Sequence, residues 1–154
     1  MGLFDRVHQS ESLKSDNVRS EIILGPAESF AAIMLVVISA DNYLADVETD
    51  LLLTFLGRMQ LFRNYSSEVM ERMFDKLGEI QKKKGDEALI DAAFKSLPHD
   101  LYETAFAIAT DLVLSDGQVT KEEEELLESL CEALDIPEKR VNEIIRVMLI
   151  KNQG

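Results

Sequence analysis

The chain has no tryptophan, one cysteine, three prolines and seven glycines among its 154 residues. The lone thiol, Cys131, cannot form an intramolecular disulfide, which argues against a disulfide-stapled secreted domain. The few prolines and glycines leave little sequence for extended linkers or low-complexity segments. The longest apolar run, residues 30–40, is well short of the roughly 20 residues that span a bilayer. We therefore expect a globular chain without a transmembrane segment.

Basic side chains are also scarce. Sixteen lysines and arginines stand against 29 aspartates and glutamates, which gives a net charge of −13. Such a charge repels nucleic acids and anionic lipid headgroups over a Debye length of about 8 to 10 Å, so cations and basic protein surfaces are the partners it favours. The opening stretch MGLFDRVHQS has no apolar signal-peptide core, and we expect a cytoplasmic protein.

The apolar residues recur at helical spacing, and no stretch alternates with a period of two, so the predicted fold class is all-α. Gly25-Pro26 begins a helix that runs to about Ala40 and is apolar nearly all round, which is typical of a central helix. Further helices are predicted over about 46–60, 68–84, 87–96 and 98–114, followed by an acidic helix from Lys121. Residues 1–24 are predicted to form a loosely docked arm, and residues 25–151 a single domain.

One acidic pattern occurs twice. Asp116-Gly117 is followed by Glu123, and 75 residues earlier Asp41-Asn42 is followed by Glu48. The register of apolar positions continues beyond both loops, so each half is predicted to contain a helix, an acidic loop, a helix, a turn and a helix. These pseudo-repeats cover about residues 26–84 and 98–150, with a linking helix between them. Because neither unit buries its apolar face alone, we expect a compact bundle of about seven helices.

The acidic loops have two interpretations. Thr120 and Glu123 form a capping-box pattern, T-x-x-E, which explains the second loop by local structure alone. In the first loop Ala45 stands at the position of Thr120 and cannot cap, yet Asp41 and Glu48 keep their spacing. Carboxylates on both sides of a turn can converge on a hard divalent cation such as calcium. The predicted metal ligands are Asp41, Glu48, Asp116 and Glu123.

A full EF-hand does not fit. Asp116 would take its fifth position and Glu123 its twelfth, but the first and third positions would be Leu112 and Leu114, which offer no side-chain oxygen. Asp111, one turn before the loop, is a further candidate ligand, although its counterpart in the first repeat is Val36.

The stretches S-D-G-Q-V-T-K-E-E-E at 115–124 and A-D-N-Y-L-A-D-V-E-T at 40–49 resemble the motif A-D-G-x5-E of the TerB family of tellurite-resistance proteins. The resemblance implies a bundle of seven or eight helices and a cytosolic role in the response to tellurite and related stress. It also implies metal sensing, association with membrane partners and the same four ligands. Asn42 replaces the glycine of the first motif and Ser115 the usual alanine of the second, and the asparagine leaves the first loop formable but strained.

Two other functions stay open at this point. The chain could be a metal-free structural or interaction module of the same fold, or it could use its carboxylates for metal-assisted hydrolysis. No Ser/His/Asp, Cys/His or phosphate-loop arrangement is visible, so we expect a protein that is not an enzyme. Cys131 is predicted to be a buried core thiol, and His8 and His99 are predicted to be surface residues without a role.

Overall fold

A computed structural model describes residues 22–39, 46–115 and 117–153; for residues 46–49 it describes the backbone alone. These ranges contain seven α-helices, the first of which begins at Pro26. In chain order the helices are α1 (Pro26–Ile38), α2 (Asp46–Gly57), α3 (Ser67–Lys84), α4 (Asp86–Ser96), α5 (Tyr102–Leu114), α6 (Lys121–Ala133) and α7 (Glu138–Lys151). Short 3-10 helices, Gln60–Phe62 and His99–Leu101, follow α2 and precede α5. No strand occurs in these ranges, which confirms the all-α prediction.

The start of α1 follows from its local sequence. Pro26 occupies the first helical position, and the Gly25 amide donates to Glu28 Oε1 at 3.1 Å. Lys76 Nζ on α3 donates to the other oxygen of Glu28 at 2.8 Å and so ties the two helices together. Partial burial acts to raise the pKa of Glu28, but the hydrogen bonds from Lys76 and Gly25 outweigh it and leave the pKa below its ordinary value.

The apolar helix α1 lies at the centre of the bundle, as its sequence predicts. Five consecutive side chains from Phe30 to Met34 have no solvent exposure. Around it pack α3, α4 and α5, with further contacts from α2 and α6, while α5 also packs against α6 and α7. A helix that is apolar on every side is stable in this position because each of its faces meets another helix.

The second helix ends earlier than its periodicity predicts. It stops at Gly57 and not near Gln60, since Met59 is extended and the following 3-10 turn folds Phe62 into the core. The Phe62 ring is 1% exposed, and it lies edge-on to Phe30 and Tyr65 with centroid distances of 6.4 and 5.4 Å. These edge-on ring contacts join the 3-10 turn after α2 to the first half of α1.

Two further expectations need correction. The helical period of the apolar residues in 68–84 predicts that Val69 points inward with Met70 and Met73. In the structure Val69 is instead 39% exposed in the first turn of α3, whose buried residues are Met70, Met73, Phe74 and Leu77. The helix predicted from Pro98 begins as a 3-10 turn and becomes α-helical only at Tyr102, because Pro98 is extended.

Residues 1–21, most of the predicted arm, lie outside the described ranges, so the division into an arm and a domain stays a prediction. The two-repeat architecture likewise stays a prediction. Within the described ranges no helix combines the length and the apolar content needed to cross a membrane.

Candidate functional site

The second acidic loop lies between α5 and α6, and its exit is a capping box. Thr120 is extended and its Oγ1 accepts from the Glu123 amide at 3.1 Å. In return Glu123 Oε1 accepts from the Thr120 amide at 3.0 Å. Two amides of the helix start are thereby satisfied by side chains, as the sequence predicts.

The entrance of this loop is a helix stop. The Gly117 amide donates to the Leu114 carbonyl at 3.1 Å, and Gly117 has a φ of +82°, in the left-handed region that glycine adopts without strain. Ser115 Oγ donates to the Leu112 carbonyl at 2.8 Å. The helix predicted over about 98–114 therefore ends at Leu114 as expected, and Gly117 completes the stop.

Of the four predicted ligands, Glu123 is the one whose side chain is described. It is 8% exposed, and its carboxylate is held at the helix start by the capping box. Asp41 and Asp116 lie outside the described residues, as does the side chain of Glu48, whose backbone belongs to α2. Whether the four carboxylates come together thus stays a prediction.

Among the side chains that the structure does describe, no three histidine, cysteine, aspartate or glutamate residues are grouped so as to hold a metal ion. The candidate set extends beyond those side chains, since Asp41 and Asp116 belong to it. The donor chemistry of the predicted set fits a hard cation, because all four members are carboxylates. Glu123 also fits geometrically, since a buried carboxylate fixed at a loop exit needs little ordering before it binds.

Asp111 has two partners that the sequence does not reveal. Its side chain is 6% exposed, and Oδ1 accepts from Asn152 Nδ2 at 2.9 Å and pairs with Lys151 Nζ at 3.2 Å. The same ammonium lies 5.8 Å from the centre of the Phe55 ring on α2. Asp111, considered above as a further ligand, therefore fastens the end of α7 to α5.

The chain that leads into the first loop is anchored differently. Ser39 Oγ donates to the Leu35 carbonyl at 2.8 Å and accepts from Gln81 Nε2 at 2.9 Å. The same Gln81 nitrogen donates to Asp86 Oδ1 at 2.9 Å. Gln81 thus connects the end of α1 to the start of α4. Sequence reasoning missed this role because its partners lie on other helices.

A small cleft opens between α1, α2 and α3. Its volume is about 190 Å³, and its lining residues are Leu35, Leu52, Leu53, Phe74, Asp75, Gly78 and Gln81. Ligand sites usually measure about 300 to 1,000 Å³ and combine apolar walls with convergent polar groups. Two polar side chains in a smaller cleft do not form a recognisable catalytic arrangement, and the expectation that the protein is not an enzyme stays a prediction.

Cys131 is less buried than predicted. It is half-buried at the edge of the core, where its Sγ lies 3.3 Å from the Glu128 carbonyl. Partial burial raises the pKa of the thiol, and the charges of Glu132 and Glu128 raise it further. The expectation of an unreactive thiol therefore has a physical basis even though the residue is not fully buried.

Comparison with known proteins gives one family. The model of the family described as tellurite resistance protein TerB matches residues 27–146, a range that contains both acidic motifs and the helices that flank them. No curated protein and no solved structure matches the chain significantly. The family match covers most of the chain and agrees with the motif resemblance. The chain belongs to the TerB family of tellurite resistance proteins.

Proposed function

We propose that this TerB family member is a non-enzymatic cytoplasmic stress-response protein that binds a divalent cation and acts through protein partners. Its ligands are Asp41, Glu48, Asp116 and Glu123, and its partners include membrane-associated components of a tellurite-resistance system. The observation that carries the proposal is that the family match, residues 27–146, spans both acidic motifs. The retained pair Asp41 and Glu48, in a loop without a capping threonine, supports a role beyond local structure.

The chemistry of Glu123 supports a hard cation such as calcium. One of its oxygens accepts from the Thr120 amide, and a carboxylate offers about four lone-pair sites in all. A cation bound through a single oxygen is therefore compatible with the capping box. Bidentate binding, the mode of the last EF-hand ligand, would compete with that hydrogen bond. We therefore expect Glu123 to bind in a monodentate manner.

The charge of the chain supports the same conclusion. At a net charge of −13, a bound divalent cation reduces the repulsion among acidic side chains in the folded state. The first turn of α6 alone carries Glu122, Glu123 and Glu124. Cation binding at its start would offset part of this local repulsion.

A metal-free interaction module is the second candidate function. The observation that favours it is the capping box itself, which accounts for Thr120 and Glu123 without a ligand. In that case the loops connect helices, and the function resides in the protein surface.

Thermal unfolding distinguishes the two. With the cation at about 100 times its Kd, binding stabilises the folded state by about 2.7 kcal/mol, which raises Tm by about 5 to 10 °C for a chain of this size. The double variant Asp41→Asn/Asp116→Asn should lose this rise. The control Asp50→Asn/Asp75→Asn changes the net charge equally at two exposed positions outside the motifs and should keep it. A melting curve that is unchanged across calcium, magnesium and manganese would leave the metal-free module as the function.

A further inference from the structure

The last helix, α7, carries apolar side chains on two sides. Its inner side packs against the core through partly buried residues: Val141, Ile144 and Ile145. Its outer residues Val147 and Ile150 are 56% and 64% exposed. At 100° per residue Ile150 lies opposite the inner residues, and Val147 lies about 60° from Ile150, at the edge of that outer side. Surface helices normally present charged or polar residues there, so this outer side is unusual.

The outer side also carries positive charge. Lys139 and Arg146 are exposed and stand seven residues apart, which is about 10.5 Å or two helical turns. Among the described residues neither forms an ion pair, whereas Arg140 pairs with Glu103 and Glu143 at 3.6 and 3.2 Å. In a chain of net charge −13, two unpaired cations beside an exposed apolar surface form a distinct local feature. We call this surface the α7 patch, consisting of Lys139, Arg146, Val147 and Ile150.

The apolar part of the patch borders α2. Lys151 Nζ lies 5.8 Å from the Phe55 ring, and Val147 lies one turn before Lys151 on that side of the helix. Val147 and Ile150, one turn apart, therefore form a short apolar strip on the outer side of α7, which is a surface that an amphipathic helix can cover.

We infer that the α7 patch docks an acidic amphipathic helix of a partner protein. Two carboxylates about seven residues apart on that helix would meet Lys139 and Arg146, and its apolar stripe would cover Val147 and Ile150. Charge complementarity selects this occupant. A second copy paired through α7 would bring like-charged arginines together. An anionic lipid surface extends beyond the patch to the acidic rest of the chain, whereas a single helix can meet the patch alone. The inference rests on the partner part of the proposed function and does not depend on cation binding.

The test uses three fluorescent synthetic peptides of about five helical turns with one shared leucine stripe. They differ at two positions seven residues apart, which hold glutamate, glutamine or lysine. Fluorescence anisotropy with the full chain should show the glutamate peptide binding about five- to tenfold more tightly than the glutamine peptide, as two partly exposed ion pairs allow, and the lysine peptide binding most weakly. The variant Lys139→Gln/Arg146→Gln should bind the glutamate peptide and the glutamine peptide with the same Kd.

The apolar contact has its own matched control. Val147→Asp should raise the Kd of the glutamate peptide at least tenfold, whereas Val69→Asp, at an exposed valine on α3, should leave that Kd unchanged. Both positions are exposed, so both variants should keep the wild-type Tm. Equal binding of the three peptides, or equal loss in both valine variants, would overturn the inference.

Two further outcomes would also overturn it. One is concentration-dependent dimerisation that Val147→Asp abolishes, measured by light scattering. The other is binding to phosphatidylglycerol vesicles with no binding to the glutamate peptide. Repeating the peptide titration in EDTA and with Asp116→Asn separates this inference from the cation proposal, because docking at α7 should persist in both.

Discussion

Thr120 and Glu123 share one capping box, but only Glu123 belongs to the predicted cation site, so substitutions at the two positions separate local structure from ligand binding. Thr120→Ala removes the Oγ1 acceptor that the Glu123 amide reaches at 3.1 Å. Loss of such a cap costs about 1 kcal/mol. For a chain of this size, Tm should fall by about 2 to 4 °C. The predicted ligand carboxylates stay in place, so the response to calcium should be retained.

Glu123→Gln should behave in the opposite way. A glutamine at this position can also accept from the amide of the capping residue, so the hydrogen bond at 3.0 Å can persist. The loss of a negative charge at the start of α6 costs about 0.3 to 1 kcal/mol. The cation, however, loses one carboxylate. If its Kd weakens at least tenfold, its stabilising effect falls by about 1.4 kcal/mol, which removes about 3 to 5 °C from the calcium-induced rise in Tm.

Circular dichroism melts of the wild type and both variants, in EDTA and in calcium, measure the Tm of each protein in EDTA and its calcium-induced rise. Thr120→Ala should lower Tm in EDTA and keep the calcium rise, while Glu123→Gln should mainly reduce that rise. A Glu123→Gln variant with the full wild-type calcium response would refute the assignment of Glu123 as a ligand. A Thr120→Ala variant with an unchanged Tm in EDTA would refute the capping argument.

The remaining predictions concern stability and reactivity. Urea unfolding of Asp111→Asn, Lys151→Met and the double variant should give a coupling energy of about 0.2 to 1 kcal/mol between the two side chains, because Lys151 is half exposed. A coupling energy of zero would show that the ion pair does not contribute to stability. Gly117→Ala should lower the free energy of unfolding by about 1 to 3 kcal/mol because alanine is strained at a φ of +82°. Gly78→Ala, inside α3 with open space around its Cβ, should raise it by about 0.5 to 1 kcal/mol, and effects of the same sign would contradict the backbone argument. Cys131 should react with a disulfide reagent more slowly than free cysteine at neutral pH, because partial burial and then the charge of Glu132 raise the pKa of its thiol. The reaction rate should rise with pH. A rate at neutral pH equal to that of free cysteine would contradict this prediction.

Local signals in the sequence predict local structure well. The Gly25-Pro26 helix start, the Thr120 capping box and the helix stop at Gly117 each depend on residues within four positions of one another, and all three are present. Periodicity is less reliable at helix ends. It assigns Val69 to an inner face, but it cannot show whether a neighbouring helix extends far enough to cover that first turn.

Contacts between distant residues are the part that the sequence does not reveal. Gln81 and Ser39 are 42 residues apart, and Asn152 and Asp111 are 41 apart, and neither pair belongs to a recognisable motif. Each becomes visible only when the helices are packed, because side-chain hydrogen bonds between helices depend on their relative position and not on spacing along the chain. The family resemblance, in contrast, follows from a short pattern and its duplication, and the family match confirms it.

These contacts also make the two halves of the chain differ where their motifs agree. Ser39, which Gln81 holds before the first loop, has Leu114 as its counterpart before the second, and Leu114 has no side-chain hydrogen-bonding group. Asp111, which Lys151 and Asn152 hold before the second loop, has the apolar Val36 as its counterpart. A polar side chain thus anchors the entrance of each loop, but it is a different residue with a partner on a different helix. The described residues that lead into the two loops therefore differ in their contacts, so equivalent substitutions in the two loops need not have equal effects.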